Sequence, residues 1–424
     1  MWCLHYRRSK ATSEVTTVHV REGHGVSVSR RPAWTALLPF AALSASYFAH
    51  IGFFNPYLPL WLKSLGLSVG AIGVMTAMQS LTRVVAPYVW GWLSDRSGER
   101  VPLLRFCAAA ALVFSLGLFK PFAQWWLMLV LLGMFIHTSA MMPMSEAALA
   151  QWVSGKGEFD TRRYGRIRLW GSMGFLVTVM VSGAWFEGHG MGGFAVWAVG
   201  SLVLLNLAVW WLPRQREAAH AHEGMASVRA VMRQRAVQWF FAALFFHVLS
   251  HIGVYVFFSL YLDERGYSKT MIGLLWAVSV VVEIAWFFTQ SRWLPRLRAT
   301  QWLVVCALAM ALRMALTAWW VDTVMALVFA QALHALTFAT HHTVCTTWLS
   351  EHFPGRLRGR GQALYASLGY GVPGVLGALA GGAISEVWGL SAVYECAVAT
   401  AVLSAWCAWR CGLSRARAAH DQAG

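Results

Sequence analysis

Charged side chains are scarce in this sequence. Only 12% of its 424 residues are Asp, Glu, Lys or Arg, whereas 58% are hydrophobic. A soluble chain of this length would need more polar surface than these residues provide. The composition therefore excludes an ordinary soluble protein and predicts a chain that crosses a membrane many times.

Acidic residues are fewest, with 18 Asp and Glu against 34 Lys and Arg and a net charge of +16. Such an excess can indicate nucleic-acid binding, so the positions of the basic residues decide its meaning. With the N-terminus drawn in the cytosol, only four lie on the far side: Lys63, Lys120, Arg265 and Lys269. This is the positive-inside pattern. It predicts a multi-pass inner-membrane protein with cytosolic termini, in contact with lipid and not with nucleic acid.

The sequence contains none of the motifs typical of disulfide-bonded, metal-binding or catalytic proteins. The seven cysteines are scattered without disulfide or metal spacing, and we find no nucleophile elbow, phosphate loop or metal cluster. We therefore expect no enzyme activity, no metal and no cofactor. Residues 1–33 are polar and basic, without a cleavable signal, and we interpret them as a cytosolic tail.

What the sequence does contain is a series of long apolar segments. They predict an all-α polytopic fold with twelve helices, at roughly 34–62, 69–93, 101–120, 123–152, 164–187, 190–212, 236–262, 269–291, 300–320, 322–350, 358–386 and 389–410. The charged segment 213–235 is interpreted as a cytosolic linker. It separates six-helix bundles at 34–212 and 236–410, and residues 411–424 form a cytosolic tail.

The two bundles share an internal repeat. Residues Leu60–Gly73 and Leu260–Gly273 are identical at six of fourteen aligned positions without a gap. Helices one and two therefore correspond to helices seven and eight. Two pseudo-symmetric bundles of this kind place the substrate site between them, near the middle of the bilayer.

A charged, glycine-bracketed segment follows helix two. It contains Gly91, Asp95, Arg96, Gly98 and Arg100 in the pattern G-x-L-x-D-R-x-G-x-R. The glycines would permit a tight reversal, Asp95 would cap or pair at a helix end, and the arginines would stay in water. The pattern resembles the loop between helices two and three of the major facilitator superfamily, which implies a conformational latch.

Two opposite charges occupy matched positions within helices two and eight, Arg83 and Glu283. Each costs at least about 2.5 kcal/mol in mid-bilayer, so each is a functional candidate. We expect them to pair across the cavity until a substrate anion binds Arg83 or a proton binds Glu283. A static ion pair that only holds the bundles together is the alternative.

Further polar residues line several helices. Helix nine carries Arg313, helix ten His334 and His341, helix seven His251, and helix one Tyr47 and Asn55. Tyr47, Asn55 and His251 are expected to bind substrate. Histidines can change protonation near neutral pH, so His334 and His341 are expected to take part in proton coupling, although each could instead only bond a neighbouring helix. At the inner mouth, Glu146 is expected to pair with Arg166 or Arg168.

Several stretches resemble the phenylpropionic acid permease branch of the superfamily, which is related to lactose permease and nucleoside proton symporters. They are Gly52–Gly73, Tyr164–Ser172, Gly266–Ser268 with Leu275, Trp276 and Glu283, and Gln331–His334 with Thr337 and Phe338. The resemblance implies that Glu283, Arg313 and His334 serve substrate binding and proton coupling. Helix ten lacks the glutamate that lactose permease has one turn after its histidine, so Glu283 is the first choice as proton carrier and His334 the second.

Together these features predict a monomeric, proton-coupled importer of a small organic solute, an aromatic monocarboxylate such as phenylpropionate, that works by alternating access. Arg83 or Arg313 would hold the carboxylate, and Trp276 and Tyr365 would stack on the ring. The alternatives are a sugar or nucleoside proton symporter, a drug efflux antiporter, and a sensor that binds solute without moving it. Helix five lacks the glycine-proline motif of drug antiporters, which disfavours efflux.

Overall fold

The computed structural model describes residues 34–155, 158–159, 161–213, 228–354 and 357–421. Its spanning helices, α1 to α12, are Leu37–Ser64, Val69–Ser94, Arg100–Phe119, Gln124–Leu149, Arg163–His189, Met191–Trp211, Arg235–Glu264, Lys269–Arg292, Ala299–Trp319, Val324–His352, Arg358–Trp388 and Leu390–Arg417. The predicted twelve-helix fold is thus confirmed. Shorter elements are strands β1 (Ser154–Gly155) and β2 (Glu158–Phe159), which pair antiparallel, and a helical turn at Arg229–Met232.

The helix ends differ in places from the predicted ones. The helix that contains α1 begins at Trp34, as predicted, whereas the helix that contains α12 continues to Asp421, into the segment predicted as a tail. Residues 411–421 include several good helix formers, Ala and Arg, and contain no proline that would stop the last helix.

Each half of the chain forms one bundle, and the bundles meet along two seams. In the N-terminal bundle α1 packs on α5 and α6, and α3 packs on α4 and α6. In the C-terminal bundle α12 packs on α7 and α9. The seams between bundles are α2 against α11 and α5 against α8. These pairs are equivalent under the repeat, as expected for two bundles related by a pseudo-twofold axis.

The repeat is visible in local geometry. Gly66 and Gly266 both have positive φ, +85° and +81°, which favours glycine. Two residues later Ser68 and Ser268 cap the following helix, accepting backbone N–H groups at 3.2 and 3.1 Å. The same loop conformation therefore begins α2 and α8.

Matched glycines allow the bundles to approach closely at both seams. A Cβ atom on Gly73 would lie 2.6 Å from the Ala378 carbonyl oxygen, and one on Gly273 would lie 2.6 Å from that of Val179. Tyr57 reaches over the second seam, where its hydroxyl lies 3.1 Å from the carbonyl oxygens of both Val179 and Lys269. The two glycine contacts and the Tyr57 bonds all lie at the same end of the bundles, the end that carries loops 65–68 and 265–268. We call this end the sealed face.

Three helices of the C-terminal bundle contain a π-helical segment. These segments are Gly253–Phe257 in α7, Ala335–Thr340 in α10 and Tyr365–Gly371 in α11. The described part of the N-terminal bundle has none. Such segments insert an extra residue per turn and occur frequently at functional sites.

The glycine-bracketed segment is more helical than its pattern suggested. Gly91 lies inside the helix Val69–Ser97, with open space beside it, so its predicted part in the reversal is wrong. The chain turns at Gly98 alone, where φ is +66° and the N–H bonds the Ser94 carbonyl at 2.9 Å. Arg100 Nε lies 3.3 Å from Ser94 Oγ, and Arg96 stacks over Trp92 at 5.4 Å. The Asp95 side chain lies outside the described residues.

Candidate functional site

The C-terminal bundle encloses an arginine within a network of acceptors. Arg313 on α9 is 1% exposed. Its Nη1 lies 3.2 Å from His251 Nε2, 3.2 Å from His334 Nδ1 and 3.0 Å from Thr337 Oγ1, and its Nη2 donates to Gln331 Oε1 at 2.8 Å. Its charge is therefore shared among groups on α7 and α10.

The network fixes the tautomer of His334. Because Arg313 can only donate, His334 Nδ1 must accept, and the proton of the neutral ring lies on Nε2. That nitrogen lies 3.2 Å from Glu283 Oε2 on α8. The His334 side chain is 9% exposed and that of Glu283 is 22% exposed. Arg313, His334 and Glu283 thus form a continuous chain, which ends at its most accessible member.

The same network extends to α8 through Gln331. Ser279 Oγ donates to Gln331 Oε1 at 2.6 Å, so this oxygen receives both the hydroxyl and the guanidinium. Gln331 Nε2 has no partner among the described residues. The two hydrogen bonds to Oε1 therefore fix the orientation of the Gln331 side chain.

His341 lies on the packing side of α10. Its ring stacks on His247 at 3.7 Å, and its Nε2 lies 3.6 Å from Cys345 Sγ. His247 Nε2 donates to the Thr337 carbonyl at 2.8 Å. The structure shows no bond from His341 to Glu283 within the described residues, so its predicted proton-coupling role gains no geometric support.

The N-terminal bundle has a pocket between α1, α2 and α4. Tyr47, Asn55, Gln79 and Arg83 supply polar groups to its wall. Gln79 Nε2 donates to Asn55 Oδ1 at 3.2 Å, and the Tyr47 hydroxyl lies 3.4 Å from the Thr138 carbonyl oxygen. Arg83 itself is exposed to the cavity, and no hydrogen-bond or ion-pair partner is found for it in the described chain. Its charge is available to a ligand.

Arg83 and Glu283 are not paired in this conformation. Glu283 contacts His334 instead, so the pairing expected from the sequence is absent.

The predicted aromatic residues lie in different surroundings. Trp276 is 7% exposed and donates to Ser259 Oγ at 3.1 Å, so it packs between α7 and α8 and does not line the cavity. The Tyr365 hydroxyl bonds His342 Nδ1 at 3.0 Å and the Tyr370 hydroxyl at 3.1 Å. Tyr365 is buried, and its hydroxyl is already engaged.

Two other rings lie beside the network. Tyr255 stacks on His251 at 4.6 Å, and Phe338 stacks on His334 at 5.0 Å. Both are partly exposed, and neither was among the predicted substrate residues. The signal that could have found them is their spacing, since each lies four residues after a network histidine on the same helix face.

The ion pair expected at the inner mouth is present. Arg168 Nε lies 3.5 Å from Glu146 Oε1, and the Arg168 guanidinium stacks over Phe48 at 4.5 Å. Arg166 is exposed. In the described segments no group of three or more His, Cys, Asp or Glu side chains is arranged to hold a metal.

Comparison with known proteins identifies the family. Residues 42–396 match the model of the MFS_1 like family. A probable 3-phenylpropionic acid transporter of Escherichia coli strain K12 is 27% identical over 353 residues, which cover 80% of this chain and 87% of the relative. The maltose permease of Geobacillus stearothermophilus is 27% identical over 353 residues, with coverage of 82% and 87%.

Solved structures agree with the fold. The crystal structure of the nucleoside transporter NupG superposes with a TM-score of 0.76 at 16% identity, covering 89% of this chain and 98% of NupG. A bacterial homologue of the lysosomal transporter Spinster, occupied and inward-facing, has a TM-score of 0.67 at 15% identity, with coverage of 90% and 96%. The chain therefore belongs to the MFS_1 like family and is a multi-pass membrane transporter of the major facilitator superfamily.

Proposed function

We propose that this secondary transporter imports a small aromatic monocarboxylate, such as phenylpropionate, together with protons. The main support for this proposal is the environment of Arg83. This cation lines the cavity at mid-membrane depth and has no counterion among the described residues. An intramembrane charge is costly unless something compensates it. A substrate carboxylate supplies that compensation through two parallel hydrogen bonds to the guanidinium.

Arg313 does not share this role. It is 1% exposed, and its guanidinium already lies within hydrogen-bonding distance of acceptors on four side chains. A carboxylate would have to displace those acceptors and leave them buried without partners, at about 1–3 kcal/mol each. Of the two arginines proposed from the sequence, Arg83 is therefore assigned to the substrate and Arg313 to the support of His334.

The ring of the substrate would lie against Tyr255 and Phe338. Both are held by stacking on His251 and His334, so their planes are fixed before substrate arrives. Offset and edge-to-face contacts between aromatic rings contribute about 0.5–1.5 kcal/mol beyond the buried area. These two residues replace Trp276 in the proposed binding site.

Glu283 is proposed as the proton carrier. It is the most exposed member of the chain that begins at Arg313, so a proton can reach it from the cavity. Protonation would remove the charge that faces His334 Nε2, while substrate would neutralise Arg83. Each ligand favours closure only by its differential affinity for the two conformations, so both together drive the cycle.

The proposed orientation places the sealed face outside and both termini in the cytosol. The α2–α11 and α5–α8 seams are closed there, so the structure would correspond to an inward-facing state. The support is the distribution of basic residues, which favours cytosolic termini.

Uptake of phenylpropionate by proteoliposomes under an imposed inward proton gradient tests the proposal. We expect Arg83→Gln to raise the KM about tenfold to a hundredfold, the range for losing a hydrogen-bonded charge, and Arg83→Lys to raise it less. Lys120→Gln, a change of an exposed cation at the end of α3, serves as the control and should leave KM unchanged. Equal uptake of phenylpropionamide by the parent protein would contradict an anionic substrate.

A neutral sugar or nucleoside is the second candidate. The Asn55–Gln79 amide pair beside Arg83 could bond hydroxyl groups, and the maltose permease and NupG are similar in sequence and fold respectively. Under this hypothesis maltose or a nucleoside would compete with labelled substrate better than any carboxylate, and Arg83→Gln would change KM little.

A further inference from the structure

The last turns of α5 and α11 carry the same short pattern. Glu187 and Glu386 each stand three residues before a glycine with positive φ, Gly190 at +68° and Gly389 at +82°. Each glycine N–H bonds the carbonyl of the residue four positions earlier, at 3.0 Å in both cases. The two helices therefore end alike, and the repeat extends beyond the segment in which it is visible as sequence identity.

Each of these carboxylates reaches the other bundle. Glu187 Oε2 accepts the backbone N–H of Lys269, the first residue of α8, at 2.6 Å. Glu386 Oε1 accepts the backbone N–H of Gly70, the second residue of α2, at 3.0 Å. Free N–H groups and the helix dipole make the first turn of a helix favourable for a carboxylate. The N-terminal bundle thus caps a helix of the C-terminal bundle, and the reverse holds at the equivalent place.

Glycine at position 70 leaves room for the Glu386 carboxylate in this contact. A Cβ atom there would collide with the Glu386 carboxylate. Between the two caps, Asp263 lies 3.7 Å from Lys63 Nζ and 3.3 Å from Lys269 Nζ. Lys63 and Asp263 are themselves matched by the repeat, so this ion pair lies near the symmetry axis of the sealed face.

We propose that Glu187 and Glu386 are paired gate residues that hold the sealed face shut and release together when it opens. Opening separates α5 from α8 and α2 from α11, so bonds of 2.6 and 3.0 Å between them cannot persist. Both carboxylates are exposed, so water replaces the lost partners and the cost of release stays small. A small cost suits a transporter, whose two conformations must have similar free energies.

The test measures opening directly and needs no substrate. Ser80→Cys places a thiol in the α2–α11 seam, where Ser80 Oγ faces Gly374. A membrane-impermeant maleimide, added on the sealed side, reaches this thiol only when the sealed face opens, and the parent without the new cysteine gives the background. Ser64→Cys places a thiol at the exposed last residue of α1 on the same face. Its labelling shows on which side of the membrane this face lies and whether the protein is inserted.

Glu187→Ala and Glu386→Ala should each raise the labelling rate of Ser80→Cys about fivefold, the factor typical of losing a helix cap. The double variant should reach the product, about twenty-five-fold, because both caps act on one closure equilibrium. Glu187→Gln and Glu386→Gln retain an acceptor oxygen, so each should raise the labelling rate less than the corresponding Ala variant, and their double variant should again exceed the single ones. This graded response separates release of the gate from misfolding.

Glu264→Ala is the matched control. Glu264 is exposed on the same face, and it makes no ion pair or hydrogen bond within the described chain. Its labelling rate should equal that of the parent. Unchanged labelling in the Glu187→Ala, Glu386→Ala double variant, or an equal rise in Glu264→Ala, would overturn the proposal. Neither outcome bears on the identity of the substrate.

Discussion

In the C-terminal bundle Arg313 is surrounded by acceptors from α7 and α10, whereas in the N-terminal bundle Arg83 faces the cavity with no partner in the described chain. The helices around Arg313 carry the π segments, and α2 is an uninterrupted α-helix past Arg83. A duplicated fold thus contains a preassembled polar network in one half and an open cationic site in the other. The division suits a carrier in which one half handles protons and the other binds the solute.

The matched positions 79/279 and 83/283 make the comparison sharper. Ser279 and Glu283 both bond α10, through Gln331 and His334. Within the part of the chain that the structure describes, the Gln79 side chain bonds only Asn55 on α1, and the Arg83 side chain has no hydrogen-bond partner. The repeat thus preserved polar character at these sites while the partners diverged.

The largest expected difference between the bundles is in stability. Arg313→Met leaves the buried acceptor nitrogens of His251 and His334 without their donor and removes one of the two donors to Gln331 Oε1. We therefore expect a loss of about 3–5 kcal/mol, as for other broken buried charge networks. Arg83→Met removes a charge that has no partner to lose, and it should leave the melting temperature unchanged or raise it. Thermal unfolding of the purified proteins in the same detergent provides the measurement. Equal destabilisation by both changes would show that Arg83 has a structural partner.

The next comparison separates coupling from binding. Glu283→Gln removes the titratable group at the end of the network but retains an acceptor for His334, so uptake driven by a proton gradient should fall at least tenfold while substrate exchange at equal pH persists. Arg83→Gln should lower both, because exchange also requires substrate to bind. The readout is uptake with and without a gradient in the same proteoliposomes. Gradient-driven uptake that survives intact in Glu283→Gln would refute its assignment as proton carrier.

Much of this architecture could be predicted from the sequence because the bilayer leaves few choices. Apolar segments of sufficient length must span it as helices, and Gly73 and Gly273 identified the duplicated unit. Arg83, Glu283 and Arg313 were found because charges in lipid are costly enough to be informative. The sequence did not show which of the two arginines was already engaged, since that depends on how α7 and α10 approach α9.

Side-chain direction was the part that could not be predicted. Trp276 is apolar, and hydrophobicity does not distinguish a helix face that packs on α7 from one that lines the cavity. The π segments shift the helix face by one residue, which helical spacing alone misses. Glu187 and Glu386 resembled ordinary solvated residues at helix ends, although their common Glu-x-x-Gly pattern was present in the sequence.

A smaller effect is expected from a single network hydroxyl. Thr337→Val removes one acceptor of Arg313 but keeps the shape, so we expect a loss of about 1 kcal/mol. Thr340→Val is the control in the same π segment, because among the described residues the Thr340 hydroxyl bonds only the Ala335 carbonyl of its own helix. A fall in melting temperature that is larger for Thr337→Val than for Thr340→Val would locate the effect in the network, and equal falls would assign it to helix packing.

The smallest effect concerns the matched polar pairs. Ser279 Oγ donates to an oxygen that also receives Arg313, so Ser279→Ala and Gln331→Ala should couple in a double-mutant cycle by about 1 kcal/mol or more. Gln79→Ala and Asn55→Ala, which form an amide pair at the cavity wall, should couple by about 0.5 kcal/mol because water can replace either partner. Unfolding free energies of the four single and two double variants give both couplings in one series. If the N-terminal pair coupled as strongly as the C-terminal pair, the N-terminal pocket would be as preassembled as the Arg313 network, and the proposed division between an open binding half and a preformed proton half would fail.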